Sequence, residues 1–188
     1  MVTRQDAYNL MHEWVKGESL RRHMLCVEAA MRAYAKKYGE DQELWGIAGL
    51  LHDFDYEKFP EVDETNKTGH PFNGVRELER LGYPTEITEA ILGHALYSGV
   101  PRLSNMAKCL FACDELCGFI VACAHTRPDK LASLEAASVN KKLKAKNFAE
   151  KVSRADIDLG IQEMQVDRNE HINFVIEALR PISSQLGF

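Results

Sequence analysis

The sequence predicts an all-α fold, a single helical bundle, on three observations. Apolar residues recur three and four positions apart through most of the chain, as one buried helix face requires. Residues that start helices precede several of these runs and glycines follow them. No stretch alternates apolar and polar residues as a half-buried strand would, and no repeat or low-complexity tract interrupts the pattern.

The elements follow in order. Thr3, with Asp6 three residues later, caps a helix reaching about Val15, and Gly17 ends it. Ser19 caps a second helix to about Tyr38, apolar at Leu20, Met24, Val27, Met31 and Tyr34 and closed by Gly39. A third spans about Asp41 to Phe54, before a loop from Glu57 to Gly69 that contains proline and acids. A fourth runs from about Pro71 to Leu81, where Gly82 terminates it. Pro84 or Thr85 begins a fifth that carries Ile87, Ile91, Leu92 and His94 to about Tyr97. The sixth, Ser104 to about His125, is the most apolar and is expected at the centre. Beyond Arg127 and Pro128 the pattern predicts a short helix at 129–134, another at about 140–153, and a long final one at about 156–183.

Composition narrows the function classes. A chain of 188 residues with 45% hydrophobic content can build one sizeable core, so one domain is expected over 1–188, with a C-terminal helical extension from about 128. A net charge of -5 argues against binding a nucleic-acid polymer and points to a small-molecule partner. No run of about 18 apolar residues offers a membrane span, and the first residues lack the basic-then-apolar order of a signal peptide, so a cytoplasmic protein is expected. Self-association as a homodimer is left open. Five cysteines without an export signal read as reduced thiols, and the stripe Cys109, Cys113, Cys117 reads as core packing.

His52 and Asp53 stand out, because they follow the apolar run from Trp45 to Leu51. Burying an unpaired carboxylate costs several kcal/mol, and a divalent cation shared with an imidazole recovers that cost. Other ligand types inside apolar helical patterns are His23, His94 and Asp114, while His70 sits at a helix start. Imidazole and carboxylate together suit Fe, Mn, Co, Ni or Zn, with Mg allowed. His23, His52, Asp53 and Asp114 would hold one ion. Adding His70 and His94 would allow a second, with Asp53 as the bridge because it has two oxygens to share. His12, His125 and His171 are left outside the site.

The order His23, His52-Asp53, His70, His94, Asp114 resembles the HD superfamily of metal-dependent phosphohydrolases, and similarity to small HD hydrolases extends through Phe119–Ala124, Arg127-Pro128 and 142–148. The resemblance implies hydrolysis of a small phosphoester, a nucleotide being one candidate, by metal-activated water without a protein nucleophile. Asp53 is then a catalytic residue, and Asp55 and Glu57 are candidates for a hydrogen-bonding partner of the site or a general acid or base. Arg22, Arg127, Lys142 and Lys144, from the basic groups Arg21-Arg22 and Lys141–Lys146, are expected to hold the substrate phosphate. HD proteins also include di-iron oxygenases, the alternative chemistry; a non-catalytic regulator whose metal ties helices together is the third reading.

Overall fold

A computed structural model describes residues 2–188. It is all-α: among the described residues there is no strand, only an isolated bridge between Asp63 and Thr68. Helix α1, Arg4–Trp14, starts at a capping box in which Thr3 accepts from the Asp6 amide and the Asp6 carboxylate accepts from the Thr3 amide. Helix α2 is Glu18–Tyr38. Its N-cap is Gly17, so Ser19 does not cap it; the Glu57 carboxylate instead takes the amides of Lys16 at 2.7 Å and Gly17 at 2.9 Å.

Helix α3, Gln42–Leu51, starts where the Asp41 carboxylate accepts the amides of Glu43 and Leu44. It ends three residues before the expected Phe54, and turns follow. Continued helix would splay His52 and Asp53 by about 100°; the turns let both face one point. Helices α4, Phe72–Arg80, and α5, Thr85–His94, come next, and the segment expected to extend α5 is a 3-10 turn, Leu96–Ser98.

Helix α6, Asn105–His125, capped by Ser104, is the central element and packs against α2 and α5. Its cysteines Cys109, Cys113 and Cys117 lie in the core, and all five thiols are buried and unpaired. No helix among the described residues is long and apolar enough to cross a membrane.

The C-terminal third departs most from expectation. Residues 129–133 form turns, and α7 is Ala136–Leu143. Residues 145–152 do not continue it, because the Arg154 guanidinium gathers the carbonyls of Ala145, Phe148, Ala149 and Val152 that a helix would have bonded internally. The long final helix is two: α8, Arg154–Met164, and α9, Arg168–Leu179, followed by a 3-10 segment, Arg180–Leu186. Gln165 turns left-handed at φ 55°, and the Asp167 carboxylate caps α9. Helix α8 packs on α6, and α9 on α2.

Candidate metal centre

The fold draws six side chains from five parts of the chain into two adjoining groups. His23 comes from the second turn of α2, His52 is the C-cap of α3 with Asp53 beside it, and His70 closes the loop before α4. His94 ends α5, and Asp114 lies midway along α6. His23, His52 and Asp114 form one group, and Asp53, His70 and His94 the other.

Hydrogen bonds on the far side of the rings set their tautomers. His52 Nδ1–H donates to the Gly49 carbonyl at 2.8 Å and His94 Nδ1–H to that of Ile91, each a last-turn acceptor that the helix itself leaves unsatisfied. His70 Nδ1–H donates to Asp55 Oδ1 at 2.7 Å. Each neutral ring therefore turns the lone pair of Nε2 inward. Asp55, fully buried, also takes the Gly74 amide at 2.6 Å. A side chain at Gly74 would place its Cβ 2.7 Å from Asp55 Cγ, so only glycine admits this contact. His70 is fixed through its backbone as well, with its amide donating to the Phe59 carbonyl and its carbonyl accepting from the Tyr97 hydroxyl.

The spacing of the inward atoms tests the set against a metal. In the first group His23 Nε2 lies 2.9 Å from Asp114 Oδ1 and 3.2 Å from His52 Nε2, and the last two are 3.3 Å apart. In the second, the Nε2 atoms of His70 and His94 are 3.2 Å apart, and Asp53 Oδ1 is 3.4 Å and 3.5 Å from them. Bonds of about 2.0–2.2 Å to a single ion put neighbouring ligand atoms about 3 Å apart. The inward lone pairs of His70 and His94 repel at their separation unless a cation lies between them. The residues fit one ion per group. Asp53 joins the groups, its Oδ1 facing the second and its Oδ2 lying 3.4 Å from His52 and 3.8 Å from His23.

The electrostatics attract positive charge. Burial opposes a charged imidazole at His52, but the carboxylates of Asp53 and Asp114 outweigh it and raise its proton affinity well above the ordinary range. Burial also opposes ionisation of those carboxylates, and the surrounding imidazoles outweigh that and hold both well below the usual range. Beside them the Glu115 carboxyl moves the other way, up to about 7, through burial and the charge of Asp114.

The ligand groups face a cavity of about 520 Å³, whose walls include Tyr56, Tyr97, Phe111 and Val152 and whose polar lining includes Glu115 and Asp156. Several expected residues are elsewhere. Glu57 clamps the turn between α1 and α2 and does not line the cavity. Asp55 stands behind His70, sealed from the cavity. Arg127 pairs with Asp129 and donates to Ser133, while the Lys142 ammonium lies 4.4 Å over the Phe148 ring. Lys144 is exposed at the end of α7. Arg21 donates to the Val15 carbonyl, and Arg22 lines a different cavity. The reason is geometric: a basic cluster in the sequence carries no direction, and these long side chains reach carbonyls, rings and solvent nearer to hand.

Sequence reasoning did not single out Tyr56, Tyr97 and Glu115 of the cavity, nor the Gly49 and Ile91 carbonyls. A signal for the carbonyls exists, since a histidine at the end of an apolar run can take a last-turn carbonyl three residues back. For the tyrosines there was none, because they enter the site through tertiary folding.

A family model described as HD domain matches residues 20–118. No curated protein and no solved structure matches the chain.

Proposed function

The chain belongs to the HD-domain family, and from that premise we propose that it is a metal-dependent phosphohydrolase cleaving a small phosphoester, a nucleotide being one candidate. The observation that carries this reading is Asp53, whose two oxygens face two separate groups of metal-ligand type at the base of one cavity. When bound, divalent cations supply Lewis-acid polarisation of the phosphoryl oxygens and acidify water, which is the chemistry of phosphoester hydrolysis.

The chain's own residues supply orientation. His23, His52 and Asp114 would hold one ion, and His70 and His94 a second, with Asp53 shared. Asp55 and the Gly49 and Ile91 carbonyls lock the rings so that Nε2 points inward. Tyr56, Tyr97 and Phe111 offer aromatic surface to the organic part of the substrate and limit water. Lys and Arg are missing from the cavity lining among the described residues. Phosphate charge there would be met by the ions, which supports a small phosphoester over a polyanion.

The test is a screen of phosphomonoesters and phosphodiesters with Mn, Ni, Co, Fe and Mg in turn, with Asp53→Ala as control. Metal-dependent phosphate release that collapses in the variant supports the reading; release at the parental rate in Asp53→Ala sinks it. The second ligand group also favours the di-iron oxygenase reading. Oxygen consumption by iron-loaded protein, without phosphate release under any metal, would select it.

A further inference from the structure

Behind His23, away from the cavity just described, lies a second cavity of about 210 Å³ between α2, α6 and the C-terminal segment. His23 and Gly118 line both cavities. A Cβ at Gly118 would stand 3.9 Å from His23 Nδ1, so little separates the two spaces.

The polar side chains here keep donors that no described residue takes up, and Ser19, Arg22 and His125 are open to solvent. His52, His70 and His94 each spend Nδ1–H on an acceptor within the protein, whereas His23 Nδ1 has none among the described residues. Every other arginine donates its guanidinium to a carboxylate, carbonyl or amide oxygen. Among the described residues Arg22 has no such partner, and it lines this cavity together with the Ser19 hydroxyl and the His125 ring. Among the described residues no carboxylate side chain lines it, and Cys26, Val121 and Leu186 supply apolar lining.

We infer that this cavity is a second binding site, for a small organic oxyanion. Its head would accept hydrogen bonds from Arg22, Ser19, His125 and His23 Nδ1–H, and its short apolar end would lie on Val121 and Leu186. A guanidinium fork matches carboxylate and phosphate oxygens alike, so the head group is either. The occupant would give His23 the outer acceptor that the other three rings already have, and so support the ring from behind.

Calorimetric titration of the metal-loaded full chain with butyrate in one arm and inorganic phosphate in the other tests this and separates the head groups. Saturable binding is expected in at least one arm. It should weaken at least tenfold in Arg22→Gln, which removes the charge at an exposed position, and in Val121→Trp, which fills the space and keeps Arg22. It should persist in His70→Gln, which alters only the first cavity. Absence of saturable binding overturns the inference. So does a titration that shows no step beyond one at the metal centre: a single step that survives both Arg22→Gln and Val121→Trp, or that is lost in His70→Gln alone, places the anion elsewhere.

Discussion

Asp55 separates two roles that a carboxylate beside a metal site can have. It is fully buried, takes His70 Nδ1–H and the Gly74 amide, and touches nothing in the cavity, so it positions a ligand. Asp55→Ala removes that support and leaves the Gly74 amide unpaired, so metal affinity of the group Asp53, His70, His94 should fall about 10–100-fold. Titration with Zn should show one weakened step and one preserved; two unchanged steps would contradict the assignment. A second residue-scale prediction concerns His171, buried where the Tyr34 hydroxyl donates to Nδ1 at 2.5 Å and Nε2–H donates to the Ala112 carbonyl. Burial lowers its pKa from 6.5 to about 4. Between those values the unfolded chain binds more protons, so stability is full above about 6.5 and is lost as pH falls toward 4, by about 3 kcal/mol. Chemical denaturation of the parent and His171→Gln across pH 4–7 should give a shallower slope for the variant.

At the scale of elements, the decisive contact is that of α2 with α3, the most extensive helix pair in the molecule. Gly49 permits it: a Cβ there would lie 2.8 Å from the Val27 carbonyl oxygen and 2.9 Å from the Glu28 amide, backbone atoms that cannot rotate away. The same residue supplies the carbonyl that orients His52. Gly49→Ala should therefore destabilise by about 1–3 kcal/mol and lower metal affinity together. Thermal unfolding should register this as a fall of about 2–4 °C for each kcal/mol, and an unchanged midpoint would refute it. The two long helices were legible in the sequence almost to the residue, α2 from its apolar period and α6 from its nearly continuous apolar content. The C-terminal third was not, because Arg154 and the left-handed Gln165 reroute the chain through contacts that periodicity does not register.

Over the whole molecule, the candidate centre takes its ligands from α2, the end of α3, the loop before α4, α5 and α6. An unfolded chain cannot assemble that set, so ligand binding is bound to folding. A divalent ion at 100 times its dissociation constant should add about 2.7 kcal/mol, seen calorimetrically as a rise of about 5–11 °C for a chain of this size and reversed by chelation. The shift should vanish in Asp53→Ala if both groups depend on the shared carboxylate. A midpoint that ignores metal would refute the centre.

Residue types and their order are enough to read an all-α chain, the six ligand-type side chains and the family they resemble. Helical period and the cost of burying a carboxylate are local facts, written in neighbouring residues. Direction is not local. That Glu57 faces a backbone turn, that Lys142 covers a ring, and that Arg22 opens onto a separate cavity follow from how distant segments pack, because a long side chain goes to the partner that tertiary folding brings within reach. The same reason explains why His23 and Asp114, 91 residues apart in sequence, stand 2.9 Å apart across one candidate centre.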